Sequence, residues 1–180
     1  MPIMIDPLCR NSFIALCLMF ALGSSQVQAA VIVWPSGWQV EDLSGAKDAA
    51  QSRQRAAKLD EAGNPLMVME LTQSALAPGH EVNIEGVLLE MRKSVQVNFS
   101  RSGFQSVCTR VRETKLSTVP ALETTCTITQ NGVHVMTQTL VAAANKEAAW
   151  SLSYAGSAEG YMANKAEALQ IRDGLILTAP

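Results

Sequence analysis

The chain has 180 residues and a mass of 19.3 kDa, enough for one domain with a buried core. Its formal net charge of -2 and pI near 5.7 disfavour nucleic acid and anionic membrane surfaces as partners, and an aromatic content of 5% leaves little for base-stacking platforms. Mean hydropathy is +0.12, high for a soluble chain, and the excess has a local source near the N-terminus.

That source is an apolar run, Phe13-Ile14-Ala15-Leu16-Cys17-Leu18-Met19-Phe20-Ala21-Leu22, preceded by Arg10 and followed by Ser24-Ser25-Gln26-Val27-Gln28-Ala29. A basic residue, about ten apolar residues and a small-residue exit describe a secretory signal peptide. The run is too short for a bilayer span, which needs about 20 apolar residues. Val27 and Ala29 suit the positions before a cut, so residues 1–29 are expected to be removed between Ala29 and Ala30. Lipidation at Cys17 is disfavoured, because Leu16 precedes it and the apolar run continues beyond. The expected product is a single domain over 30–180, periplasmic or secreted.

Pro35 and Gly37 predict a turn, after which Trp38 and Val40 alternate as a short strand. Leu43 to Ser52 shows no period and reads as a loop. Arg53 to Leu59 and Leu66 to Thr72 flank the turn formers Asp60-Glu61-Ala62-Gly63-Asn64-Pro65, which predicts a hairpin. Between Val82 and Phe99 the period changes. Ile84, Val87, Leu88, Met91, Val95 and Phe99 recur at three and four residues, which is one stripe of an amphipathic helix, and Ser102-Gly103 supplies a stop.

Val107, Thr109 and Val111 alternate with Cys108, Arg110 and Arg112, which predicts one continuous strand with both arginines on one face. A second strand starts at Ala121. Asn131-Gly132 is a strong hairpin signal, because a type I′ turn needs positive φ at both central residues. It predicts Ile128 opposite Val135 and Cys126 opposite Thr137. Trp150, Leu152 and Tyr154 form the last arm of this antiparallel meander. Gly156 to Gly160 reads as a polar bridge. Tyr161 to Arg172 is rich in helix formers, with Met162, Ala166, Leu169 and the Arg172 stem expected on its inner side. Leu175-Ile176-Leu177 is expected to pack back or form a short final strand. The expected fold class is α+β: a single antiparallel sheet packed with two main helices, covering one sheet face.

Cys108 and Cys126, the two cysteines outside the leader, are expected to form a disulfide in an oxidising compartment. Closing a loop of this length stabilises by roughly 3 kcal/mol in the chain-entropy picture. Redox chemistry is disfavoured by the lack of Cys-x-x-Cys. His80 and His134 are the only histidines, and no zinc-ligand spacing contains them. Met67, Met69, Met136 and His134 form a conceivable soft cuprous site, against which stands their reading as core filling. No P-loop, Gly-x-Gly-x-x-Gly or nucleophile elbow occurs. Arg110, Arg112 and His134 are the weak ligand-site candidates, with Glu113 and Glu123 placed to neutralise the arginines.

The strings Trp34-Pro35-Ser36-Gly37-Trp38-Gln39-Val40-Glu41, Gly63-Asn64-Pro65-Leu66-Met67-Val68-Met69-Glu70 and Glu123-Thr124-Thr125-Cys126-Thr127-Ile128 resemble a gammaproteobacterial family of small exported proteins catalogued as a domain of unknown function. The resemblance spans nearly all of the mature chain and brings no catalytic residues with it. The order of elements, the Pro-x-Gly-Trp opening and the closing Ile171-Arg172-Asp173-Gly174-Leu175 also resemble the PsbP/Mog1-like sandwiches, which include envelope proteins of the DcrB type. That likeness implies an accessory or binding role.

The expected function is therefore a periplasmic accessory or binding protein with no recognisable catalytic site. The alternatives are a small-molecule or metal-binding periplasmic protein, and a hydrolase whose site carries no motif. The expected partner is an envelope protein. No catalytic, metal or cofactor residue is assigned, no cofactor is expected, and neither nucleic acid nor a stable membrane anchor after cleavage is expected.

Overall fold

Where apolar and polar residues alternate, the chain extends, and a computed structural model that describes residues 30–45 and 51–177 joins these extended runs into one antiparallel sheet. The expected leader over 1–29 lies outside the described residues, as does 46–50 of the expected loop. In chain order the elements are β1 (Trp38–Asp42), β2 (Gln51–Leu59), β3 (Pro65–Ala75), α1 (Ile84–Arg101), β4 (Gln105–Cys108), β5 (Arg112–Leu116), β6 (Val119–Gln130), β7 (Val133–Ala144), β8 (Ala148–Ser157) and α2 (Ala158–Asp173). The spatial order is β1-β2-β3-β8-β7-β6-β4, and β5 also pairs with β6. Among the described residues no helix is long and apolar enough to cross a membrane.

Local chemistry fixes the turns. Asp60 accepts from the N–H groups of Ala62 and Asn64 at 2.9 and 2.8 Å, and Gly63 supplies the positive φ that closes the β2–β3 hairpin. Asn131 and Gly132 both have positive φ, 50° and 80°, as the type I′ turn requires. Past that turn the register departs from expectation. Thr129 faces His134, but Ile128 faces Met136, so β7 carries one extra residue at Val135 and Cys126 pairs with Gln138 instead of Thr137.

The two helices cover opposite faces of the sheet, so the one-face expectation is corrected. Leu140 and Ala142 of β7 cluster with Leu88 and Val95 of α1, whereas Val141 and Ala143 cluster with Tyr161, Ala168 and Ile171 of α2. Strand alternation makes this possible, because a central strand buried on both faces reads as a continuous apolar run. The Asn83 side chain caps α1 by accepting from Gly86 N–H at 3.0 Å, and the ordered stripe Leu88, Met91, Val95 and Phe99 packs as its spacing predicts. Val87 lies at the rim of that stripe and is exposed.

α2 begins earlier than its composition suggests. Ser157 caps it, accepting from Gly160 N–H at 3.0 Å, so strand and helix meet with no polar bridge between them. The buried stripe is Tyr161, Asn164, Ala168 and Ile171; of the expected inner residues Leu169 packs partly against this core and Arg172 is largely buried, whereas Met162 and Ala166 are exposed. Met162 is 78% exposed. The phase is set by Gly160, where a Cβ would stand 2.4 Å from the Leu66 carbonyl oxygen, so only glycine lets the helix start this close to β3. Beyond α2, Ile176 exchanges two backbone hydrogen bonds with Val31, of 3.0 and 3.1 Å, which fulfils the expected short final strand as a single bridge.

Gly160→Ala is expected to destabilise the fold by about 1–3 kcal/mol, because the clash is with backbone that cannot rotate away. Gly45→Ala, with open space around it, should leave the denaturation midpoint nearly unchanged. Urea unfolding of the two variants checks this; equal midpoints would refute the close-approach account.

Candidate functional site

The edge strand beside β6 is broken, and the break re-aims its side chains. Cys108 pairs with Cys126, and the two form a disulfide with Cα atoms 3.9 Å apart. Arg112 pairs with Glu123. Four residues separate the first members of these pairs but only three separate the second, so the edge carries one extra residue between β4 and β5. Thr109 and Thr124–Thr125 hold that bulge. Thr109 N–H donates to the Thr125 carbonyl at 2.9 Å, and the Thr124 hydroxyl donates to the Thr109 carbonyl at 2.9 Å. One extra residue exchanges the faces of everything that follows. Arg112 therefore lies on the α2 side with Glu123, whereas a regular strand would have aimed it with Cys108 toward α1. The expected shared face of Arg110 and Arg112 is corrected accordingly: Arg110 is exposed in the connecting segment and does not line the pocket that Arg112 enters.

Glu123 is the centre of that pocket. Its carboxylate side chain is 4% exposed. Arg112 Nε donates to Oε1 at 2.6 Å, and Arg112 Nη2 also pairs with Oε1. Arg172 Nη1 donates to Oε2 at 3.0 Å, while its Nε donates to Asp173 at 2.8 Å. Burial works against the Arg172 charge, and Asp173 and Glu123 outweigh it, so its pKa lies above the ordinary value. The two arginines differ in energetic weight. Arg172 is 13% exposed and acts in a low-dielectric setting, whereas Arg112 is 67% exposed and screened by water.

Hydroxyl groups line the rest. The bulge at Val135 brings Thr139 opposite Thr125, and their hydroxyls share a hydrogen bond of 2.8 Å. Thr139 in turn bonds the Tyr161 hydroxyl at 2.6 Å. Tyr154 and Tyr161 lie nearly parallel, 9° apart with ring centroids at 6.0 Å. Burial pushes the Tyr154 phenol up to about 12, with Tyr161 adding to the effect. Burial also raises Tyr161, against the opposing hydrogen bond from Thr139. With Lys165 at the rim, these groups enclose a cavity of about 350 Å3. Its walls offer carboxylate, guanidinium, ammonium and hydroxyl groups, a set that holds a polar ligand by hydrogen bonds.

The other candidates are scattered. His134 lies near the β6–β7 turn, its Nε2 2.8 Å from the Thr137 hydroxyl and 3.1 Å from the Met136 carbonyl, away from the pocket. Met67 and Met69 belong to the α2-side core and Met136 to the α1-side core, so the sheet separates the conceivable soft-metal set. Among the described residues no group of three or more His, Cys, Asp or Glu side chains is placed to hold a metal ion. His80 borders a larger open groove of about 880 Å3 along α1, whose floor is mainly apolar, with Val87, Met91 and Leu140. Tyr154, Tyr161 and Thr139 escape a reading of sequence motifs. The available signal is that both tyrosines of the chain stand seven residues apart across a strand–helix junction.

The chain belongs to the family described as Domain of unknown function (DUF4946), which matches residues 29–177. No curated protein matches it. Its fold is similar to that of cyanobacterial PsbP (CyanoP) from Synechocystis sp. PCC 6803, known from a solution structure. That likeness has a TM-score of 0.61 at 11% identity and covers 88% of this chain and 96% of that one. LpqN of Mycobacterium tuberculosis, described as involved in cell envelope biogenesis, aligns with a TM-score of 0.48 at 12% identity over 88% of each chain. The likeness to CyanoP establishes the PsbP-like α+β fold, and at this identity it is a likeness of fold alone.

Two outcomes test the pocket. Tyr154 is held above its unfolded pKa, so its neutral form favours the folded state; the associated stability is complete below about pH 10 and is lost as pH rises toward 12, by up to roughly 3 kcal/mol. Tyrosinate absorbance should thus rise together with alkaline unfolding, and a normal titration in the native protein would contradict the burial. Arg172→Met should cost up to about 3–5 kcal/mol, because it removes the buried partner of Glu123 and leaves only the solvent-screened Arg112. Arg112→Gln should cost under about 1 kcal/mol. Chemical denaturation of both variants checks the asymmetry, and equal losses would refute it.

Proposed function

We propose that this protein is exported to an oxidising compartment, the periplasm in a bacterium of the gammaproteobacterial kind its strings resemble, and acts there as a binding module. The pocket between α2, β5 and β6 holds its ligand. The observation that carries this reading is Glu123, a buried carboxylate braced by two arginines beside two buried tyrosines. Such a cluster is a poor way to stabilise a core, since well-packed apolar residues of similar volume commonly serve as well or better. Convergent polar groups with displaced pKa values in a cavity are instead the mark of a binding site. Export is supported by the Cys108–Cys126 disulfide, which persists where thiols are not kept reduced, and by the leader-like residues 1–29.

An envelope-protein partner is the second reading. The observation that favours it is the open, mainly apolar groove along α1, which is wider than a small polar ligand needs. Where a bound molecule perturbs the protein separates the two readings.

Amide chemical-shift mapping with a panel of sugars, sugar acids, amino acids and dicarboxylates is the test. At least one compound is expected to shift resonances of β5, β6 and the first half of α2, and Arg112→Gln with Thr139→Val should remove the response. Absence of any response at that pocket, or a response centred on α1, would overturn the reading.

A further inference from the structure

Resting on the binding reading above, we infer that the ligand of the α2-side pocket is a small polyhydroxylated carboxylate, a sugar acid of monosaccharide size. Three features of the cavity lead there.

The first is the distribution of charge between floor and rim. Glu123 at the floor is neutralised by Arg172, and its Oε2 accepts a single N–H, which leaves capacity for a hydroxyl donor. A bare carboxylate placed there would meet Glu123 directly and be repelled. At the rim the balance reverses, with Arg112 and Lys165 against one carboxylate, Glu113. Arg112 has a largely exposed guanidinium whose Nε and Nη2 serve Glu123, leaving Nη1 turned to other acceptors. Lys165 is exposed on α2, and among the described residues no carboxylate lies within ion-pair distance of it. An anionic group is therefore favoured at the rim and a hydroxyl at the floor.

The second feature is the wall. The hydroxyls of Thr125, Thr139 and Tyr161 form one bonded chain with the Tyr154 hydroxyl beside it, and each hydroxyl oxygen keeps acceptor capacity for a guest. Alternating donors and acceptors suit a polyol, and a simple inorganic anion makes no use of them. The third is size. A cavity of about 350 Å3 admits a monosaccharide and excludes a folded peptide segment or a lipid chain.

The test is titration calorimetry on the processed full-length protein at low salt, with D-glucuronate, D-galacturonate, D-mannuronate and D-gluconate as the acids. D-glucose and inorganic phosphate serve as the neutral and the purely ionic probes. At least one acid is expected to bind about tenfold or more tightly than either control. Lys165→Gln should weaken that acid about fivefold or more and flatten its salt dependence, since a screened rim charge is lost. Glucose binding as tightly as the acids would overturn the inference and leave the polar-ligand reading standing. Phosphate binding as tightly as the acids would overturn it too, by making the hydroxyl wall irrelevant. If all six probes fail while another compound of the broader panel still perturbs β5 and α2, the sugar-acid inference falls alone. If nothing perturbs that pocket, both fall.

Discussion

Two single-residue insertions flank β6, one at Val135 in β7 and one between Cys108 and Arg112 on the opposite edge, and what each face of the sheet carries depends on them. Because side chains alternate with a period of two, an insertion transfers every later residue to the other face. The first sets Thr139 beside Thr125. The second sets Arg112 beside Glu123. Without both, β6 would present Glu123 and Thr125 to neighbours of the wrong chemistry, and the cavity under α2 would lack Arg112 and the Thr139 hydroxyl. The disulfide sits immediately before the second bulge and ties β4 to β6 on the α1 side, so the register on that edge is fixed where the insertion begins.

The helices divide the work. α1 seals the half of the sheet formed by β7, β6 and β4 with Leu88 and Val95, a mainly apolar contact. α2 seals the other face with Ala168 and Ile171, but its first turns carry Tyr161 and Asn164, and its last turn carries Arg172. Gly160 brings its N-terminus against Leu66, which fixes how far Tyr161 reaches toward Thr139. One helix is a cover; the other is a cover with a polar wall built into it.

Much of the fold was legible in the sequence, for identifiable reasons. Asn131-Gly132 demanded positive φ at two successive residues, so the hairpin was set locally. The stripe from Leu88 to Phe99 and the turn formers from Asp60 to Pro65 were equally local signals. The disulfide pairing followed from there being one pair outside the expected leader. Register was a different matter. Periodicity tells which residues share a face within a strand, but a bulge is decided by how neighbouring strands and helices pack, and neither Val135 nor the Thr109–Val111 stretch carries a glycine to mark it. The second covered face was hidden because Leu140-Val141-Ala142-Ala143 fits either a doubly buried strand or a generically apolar one. Arg112 was set on one face with Arg110 because the extra residue between β4 and β5 leaves no local mark. Glu123 was noticed only as a neutralising neighbour, since burial is a property of the assembled layers.

The charged and hydroxylated cluster under α2 is proposed to exist for a ligand, at a cost to stability. The direct test is a double-mutant cycle on its most buried pair, Glu123→Leu and Arg172→Leu, read by denaturant unfolding. Each single change should cost up to about 3–5 kcal/mol, because the remaining charge keeps only a solvent-screened partner, Arg112 for Glu123 or Asp173 for Arg172. The double variant should regain most of that loss and approach or exceed the parent, while no longer responding to ligands at the pocket. If the double variant stays as destabilised as the worse single variant, the pair contributes net stability to the fold and the central claim is wrong.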